Sequence, residues 1–445
     1  MESMNPSKDD RIAIVGASVL GISTALHLAA RGYKNIAIFD KRSQSDLTAA
    51  PSNQASPYAA VRCSPVDQPE YRNLSLEAIT GWKAWNDELW RGKTVPPGMS
   101  PEHRVFVNNG FFSLFDGDAI PEAELSRVRD MEQKGMGLAL LLSTDLDHVD
   151  SANSRMFNID PVRREERNEA NVGVMDTLGG TLIIEKACRF VLHKAQTQGV
   201  KFVLDPEKGA VEDIVYQEPG KDGLKDVKGV RTRDGKTHHV DFVVWACEPG
   251  NSIPSFSDTT ITKPLVFTAA ARVSEGGDLW DHLAPDNFPS WEHKLPQHQG
   301  AVIFGFPRDD DGQMIVVIRA TAESNVVKNG GKDVALDCIK NFLAKFLPEL
   351  KEEGANIEEL STNSPGKVYA EYRIIDRVPG VRNLILAADG RHAGEEVMFL
   401  PSIGSPVVDI MEGGKPAVTA WQWKSKSTSE PTINEGDKRL RKAKL

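Results

Sequence analysis

The sequence has no excess of positive charge: 53 Lys and Arg face 63 Asp and Glu in 445 residues, a formal charge of −10. No Lys/Arg stripe offsets that balance, so nucleic acid is excluded as a partner. Cysteine is scarce: Cys63, Cys188, Cys247 and Cys338 make up the whole set, and no two stand at the spacing of a metal or redox motif. Neither a metal site nor a disulfide framework is expected; reduced thiols in an intracellular compartment are. No apolar run approaches the about 18 residues of a membrane span. Met1–Asp10 is polar and lacks the apolar stretch of a secretory signal. What the sequence does have is core material. With 40% of its residues hydrophobic, wholesale disorder is excluded. At roughly 150 residues per domain the chain is long enough for about three units, which large enzymes commonly merge into two interleaved ones.

Residues Arg11–Gly16 (RIAIVG) form a short apolar run ending in glycine, which predicts a buried strand. Apolar residues then recur at helical spacing from Ile22 to Arg31, Gly32 closes the run, and Asn35–Asp40 (NIAIFD) predicts a second buried strand. Strand, turn, helix and strand in this order make a βαβ unit and therefore a parallel sheet. Further helices are expected over Asn73–Trp90, Pro121–Lys134, Thr181–Gln198, Asp333–Phe346 and Pro401–Met411. Strands are expected over Val200–Leu204, Val211–Val215, Phe242–Trp245 and Asn383–Ala387, with a hairpin loop around Asp222–Gly223. From Lys263 to Asn363 extended runs such as Ala301–Phe306 and Met314–Arg319 dominate around one helix, which predicts a β-rich second domain. Arg163–Glu169 is expected to be a solvated charge run.

Between the first strand and the first helix lies Gly16-Ala17-Ser18-Val19-Leu20-Gly21, where a dinucleotide fingerprint must be. The first glycine makes the turn, the second lets backbone approach the pyrophosphate, and the third lets helix pack on strand. Ser18 stands at the second position, which puts a hydroxymethyl group at the tightest spot. The helix N-terminus offers unpaired N–H groups and a positive dipole end to phosphates. Asp40 ends the second strand about 20 residues on, where an acid accepts from adenosine ribose hydroxyls.

The stretch IAIVGASVLGISTALHLAARGYKNIAIFD resembles the start of the fungal fructosyl amino acid oxidases (amadoriases), and also of saccharopine oxidase and monomeric sarcosine oxidase. Phe399-Leu400-Pro401-Ser402-Ile403-Gly404 with Val408-Asp409-Ile410-Met411-Glu412-Gly413 resembles that family's closing segment. Ile375-Asp376-Arg377, followed by Pro379, resembles a further signature. The resemblance implies an α/β fold: a Rossmann-like FAD-binding domain, its parallel sheet discontinuous in sequence, with a second β-rich α+β substrate domain. It implies FAD-binding segments 10–95, 172–255 and 370–423, substrate segments 96–171 and 256–369, and a tail 424–445. The implied cofactor-binding residues are Gly16, Ser18, Val19, Leu20, Gly21, Asp40, Lys41, Val211, Ala246, Met398 and Phe399. The implied chemistry is FAD-dependent oxidation of the C–N bond of a secondary amine or amino acid derivative, with electrons passing to oxygen.

This sequence departs from the family at several places. The cysteine that tethers the flavin precedes the Ile-Asp-Arg signature; here Lys367-Val368-Tyr369-Ala370 fills that region, so FAD is expected to be held non-covalently. The lysine before Leu-Pro-Ser-Ile-Gly falls on Met398, after Glu395 and Glu396. The oxygen-activating lysine falls near Ile315, and an Asn-Lys pair is replaced by Tyr58 and Ala59 ahead of Arg62. Arg62, Arg319, Lys367, Tyr372 and His392 remain as polar groups, without an assignable catalytic residue. Arginine would suit a substrate carboxylate. A flavoprotein fold that has lost its oxidase residues, catalysing a non-redox step or only binding a metabolite, is the alternative.

Trp82, Trp85 and Trp90 are expected to pack rather than to bind, and the adjacent His238 and His239 point to opposite faces of a strand, which suits no single metal. Ala443-Lys444-Leu445 has the small–basic–leucine chemistry of a peroxisomal address. It predicts an import receptor as a partner and a peroxisomal location.

Overall fold

A computed structural model describes residues 5–48, 56–63, 71–219, 222–247, 261–262, 264–363, 367–368, 373–388 and 396–423. Its first layer is a six-stranded sheet in the order Ile374–Arg377, Leu384–Ala388, Phe242–Trp245, Arg11–Val15, Asn35–Asp40, Lys201–Leu204. All neighbours are parallel except Ile374–Arg377, which runs against Leu384–Ala388. The central strands are continuous apolar runs because both faces are covered. Ile12, Ile14, Ile36 and Ile38 face helices Val19–Ala30, Ile184–Thr197 and Gly404–Met411. Ala13, Val15, Phe39, Val243 and Trp245 face the antiparallel strands Val211–Gln217, Lys225–Thr232 and Thr237–His239. The hairpin expected around Asp222–Gly223 joins the first two of these.

Chain order fixes where this sheet opens. Arg11–Val15 leads to Asn35–Asp40 on one side, and the chain later returns to Phe242–Trp245 on the other. The carboxyl ends of these strands are thus a topological switch point, where open α/β sheets bind ligands.

The second layer is an eight-stranded sheet in the order Ile357–Asn363, Leu265–Arg272, Gln313–Ala320, Ala301–Arg308, Ser290–Lys294, Phe111–Leu114, Gly173–Asp176, Leu140–Leu142. Helix Lys332–Phe346 covers one face, with Phe342 stacked on Trp291 at 4.8 Å. The opposite face carries Val266, Ala270, Phe306, Ile315 and Val317, over which pack Tyr58 and Ala60 of strand Tyr58–Val61. The α/β class and the β-rich second part are as the sequence predicts.

Three expectations are corrected. Thr181–Ile183 is not helical: Gly180–Ile183 is a strand between Tyr58–Val61 and Phe106–Val107, and the helix starts at Ile184. β-Branched Thr181 and Ile183 favour that pairing over helix. The region from Lys263 to Asn363 holds more than one helix, with short turns at Asp278–His282, Asn325–Lys328 and Glu349–Glu352. Arg164, in the expected solvated run, is buried and donates to the carbonyls of Val172 (3.2 Å) and Phe115 (3.1 Å). Among the described residues no helix is long and apolar enough to cross a membrane, and no cluster of His, Cys, Asp and Glu could hold a metal.

Candidate functional site

The glycine turn at the switch point is fixed by backbone geometry. Gly16 has φ +106°, and a Cβ there would stand 2.8 Å from the Ala246 carbonyl oxygen. A Cβ on Gly21 would overlap the Gly16 carbonyl oxygen. Gly16 and Gly21 are therefore required by the close approach of turn, helix and neighbouring strand. Ser18 is the N-cap of helix Val19–Ala30. Its hydroxyl accepts from the Gly21 N–H (3.2 Å) and donates to the Ala246 carbonyl (2.7 Å). The hydroxymethyl group is thus turned into the fold, and the N–H groups of Val19 and Leu20 belong to the first turn, which has no intrahelical acceptors for them.

Asp40 ends its strand buried and next to the turn. Its carboxylate accepts from the Ala17 N–H (2.8 Å), the Arg42 N–H (2.8 Å) and the Arg42 guanidinium (2.9 and 3.1 Å). Burial pushes this carboxyl up, but the Arg42 guanidinium and the Arg42 and Ala17 N–H groups outweigh it, leaving the group below its ordinary value. A carboxylate favoured in its ionised form at this place fits an adenosine ribose, and a glycine turn at a helix N-terminus fits a pyrophosphate. The residues present therefore fit a dinucleotide such as FAD.

The other predicted cofactor residues fall into two groups. Ala246 borders the turn directly, and its N–H donates to Val15. Val211 lies two residues after Gly209, on which a Cβ would overlap the Asp40 carbonyl oxygen. Lys41 is exposed, and the cation that turns inward is Arg42, which no sequence motif marks. Met398 and Phe399 are buried side chains of the turn Glu396–Phe399. The Met398 carbonyl accepts from the Trp82 indole N–H (2.8 Å). Phe399 joins Tyr71 and Trp421 around the buried Arg373 guanidinium, with ring centroids 5.2–5.5 Å away. Trp82 and Trp85 pack as expected, whereas Trp90 is exposed. In the Ile-Asp-Arg signature, Arg377 donates to the carbonyls of Ile410 and Met411 (3.0 Å each), capping the C-terminal end of helix Gly404–Met411.

The turn Glu396–Phe399 contacts both helix Val19–Ala30 and strand Tyr58–Val61, so it links the glycine turn to the apolar face of the eight-stranded sheet. That face is edged by charge. Arg319 lies over the Phe304 ring at 5.5 Å. Arg62 lies over Phe111 at 5.3 Å and pairs with buried Glu292 at 3.1 Å, whose other oxygen accepts from Ser113 (3.1 Å). Ile315 is buried within the patch. Tyr58 is held as a neutral phenol, because burial and then the charges of Asp309, Asp310 and Asp311 raise its pKa. The four cysteines carry free thiols. Tyr372, His392 and Glu395, the side chains of Lys367 and Glu396, and residues 424–445 lie outside the described residues.

The model of the family described as FAD dependent oxidoreductase matches residues 11–408. A fructosyl peptide oxidase from E. terrenum is 22% identical, with 94% of this chain and 93% of that chain covered at a TM-score of 0.65. A modified fructosyl peptide oxidase from Aspergillus nidulans, solved in complex with FSA, is 21% identical over 95% of each chain at 0.65. The deglycating fructosamine oxidase Amadoriase II from Aspergillus fumigatus, also in complex with FSA, is 20% identical over 94% of this chain and 90% of that chain at 0.61. At these identities the solved structures bear on the fold alone. No curated protein matches the chain.

Proposed function

The chain belongs to the family of FAD dependent oxidoreductases, and from that premise we propose that it oxidises the C–N bond of a secondary amine bearing a carboxylate. The observation that carries this reading is the apolar sheet face of Val266, Ala270, Phe306, Ile315 and Val317, covered by Tyr58 and edged by Arg319. An amine over such a surface is stripped of water, which favours its neutral form, the form whose lone pair can be drawn on in oxidation. Arg319 at the edge offers a fork to the carboxylate. FAD, when bound, supplies the two-electron acceptor; Gly16, Ser18 to Gly21, Asp40 and Ala246 would hold it. Lys367-Val368-Tyr369-Ala370 stands in place of the tethering cysteine just before the Ile375-Asp376-Arg377 signature, so in this reading the cofactor is held non-covalently. Because Ile315 and Met398 are apolar where fructosyl amino acid oxidases carry lysines, the substrate in this reading is an N-substituted amino acid other than a glycated one. Oxygen as the electron acceptor is carried over from the family resemblance alone, since the oxygen-activating lysine is replaced.

The same two residues favour a second reading, in which the fold binds FAD and a metabolite without redox turnover. Absorption spectra of the purified protein before and after denaturation, followed by anaerobic mixing with N-alkyl and N-fructosyl amino acids, separate the readings. Flavin bands that leave with the supernatant on denaturation and are bleached by an N-alkyl amino acid are expected. Bound flavin that no amine bleaches supports the second reading, and no flavin at all sinks both. Ala443-Lys444-Leu445 directs the chain to peroxisomes in this proposal. A fluorescent fusion that stays cytosolic with the tripeptide intact would overturn that part.

A further inference from the structure

Asp40 has no acceptor capacity left. Oδ1 accepts from the Arg42 N–H (2.8 Å) and Nε–H (3.1 Å), and Oδ2 from the Ala17 N–H (2.8 Å) and the Arg42 Nη2–H (2.9 Å). Those donors fill the about four lone-pair positions of a carboxylate. Two of them are backbone groups, set by the glycine turn and by the corner after the strand. The other two are a single guanidinium fork on a side chain that is 30% exposed, hence free to leave toward solvent. Arg42 Nη2 also donates to the Ala17 carbonyl (3.1 Å). The fork therefore straps the strand end to the glycine turn, across the place where an adenosine would lie.

Two neighbouring donors aimed at one carboxylate are also what the vicinal hydroxyls of a ribose present to the acid at this position. We propose that Arg42 is an internal stand-in for the adenosine ribose. It occupies Asp40 in the cofactor-free chain and must release it before the ribose hydroxyls can bind. Guanidinium and ribose together would put six donors on about four sites. Arg42 thus lowers the affinity for FAD and stabilises the chain without it. The inference rests on the FAD reading above.

Titration of cofactor-free wild type, Arg42→Ala and Arg42→Gln with FAD, followed by flavin fluorescence, tests it. Riboflavin 5′-phosphate, which lacks the adenosine, is the control ligand. Losing one charge-assisted pair corresponds to about tenfold in affinity. FAD is expected to bind Arg42→Ala about tenfold more tightly, with Arg42→Gln in between and the control ligand unchanged. Without FAD, Arg42→Ala should melt below wild type, and saturating FAD should close the gap. Equal or weaker FAD binding by both variants, where wild type binds, overturns the inference and leaves the FAD reading standing. An equal gain for the control ligand also overturns it. Failure of all three proteins to bind FAD overturns both.

Discussion

The Ser18 hydroxyl donates to the Ala246 carbonyl across 2.7 Å, joining the residue at the second glycine position of the turn to the end of a strand more than two hundred residues later. The same oxygen accepts from the Gly21 N–H, so one side chain caps the helix and ties two parallel strands at their ligand-binding ends. A serine at this position therefore need not crowd a pyrophosphate. Ser18→Ala removes the cap and leaves the Ala246 carbonyl short of a donor, a cost of about 2 kcal/mol. Urea unfolding of the cofactor-free protein should show that loss, and Ser18→Gly, which keeps a tolerable cap residue, a smaller one. An unchanged Ser18→Ala midpoint would contradict the assignment.

Glycine at the turn is a matter of space as well as of backbone freedom. Gly32 has φ +87° with nothing within 4 Å of a Cβ, whereas Gly16 has φ +106° with the Ala246 carbonyl 2.8 Å from one. Gly32→Ala should cost only about 1 kcal/mol of backbone strain. Gly16→Ala and Gly21→Ala must also push strand or turn apart, with a loss of about 3 kcal/mol or more and abolished flavin binding. Thermal unfolding and flavin content of the three variants, compared side by side, check the ordering.

At the opposite end of the same strands, Arg11 holds the Asp241 carboxylate through both oxygens. The hydrogen bonds from the Arg11 side chain hold the Asp241 carboxyl down to about 2. A depressed folded-state value contributes stability above the unfolded value of about 4, and that contribution is lost as pH falls toward 2. Both side chains are more than a third exposed, so solvent screening limits the effect to about 1 kcal/mol or less. The stability difference between wild type and Asp241→Asn should be constant above about pH 5 and shrink below it. A difference that grows on acidification would contradict this account.

Much of this geometry is legible in the sequence, and what is missed has two physical origins. The strands Arg11–Val15 and Asn35–Asp40 and the helix between them declare themselves because each is a short run with a single dominant period, with Gly16 and Gly32 closing the first strand and the helix. Gly180–Ile183 does not, because its apolar run passes without a break into the helix starting at Ile184. Arg164 looks solvated among its charged neighbours; only the fold brings the Phe115 and Val172 carbonyls to it. Arg42 is missed for the same reason, since its second anchor, Ala17, comes from another element. Periodicity reports the neighbours along one element, and side-chain partners across elements leave no trace in it.

Arg62 and Glu292 are such partners, joined at 3.1 Å with 15% and 8% of their side chains exposed. Removing one member of a buried pair strands the other charge, at a cost of about 3 kcal/mol or more, while replacing both with apolar residues costs less than the sum. Arg62→Met and Glu292→Leu should each lower the unfolding midpoint, and the double variant should recover part of the loss, with a coupling of about 1–3 kcal/mol. Strict additivity would show that the pair does not act as a unit in the fold. The cycle also bears on catalysis, because a cation committed to Glu292 is a poor anchor for a substrate carboxylate. If Arg319 fills that role, Arg319→Met should raise KM for the amine substrate more than Arg62→Met does. The reverse pattern, a KM effect confined to Arg62→Met, would move the carboxylate anchor from Arg319 to Arg62.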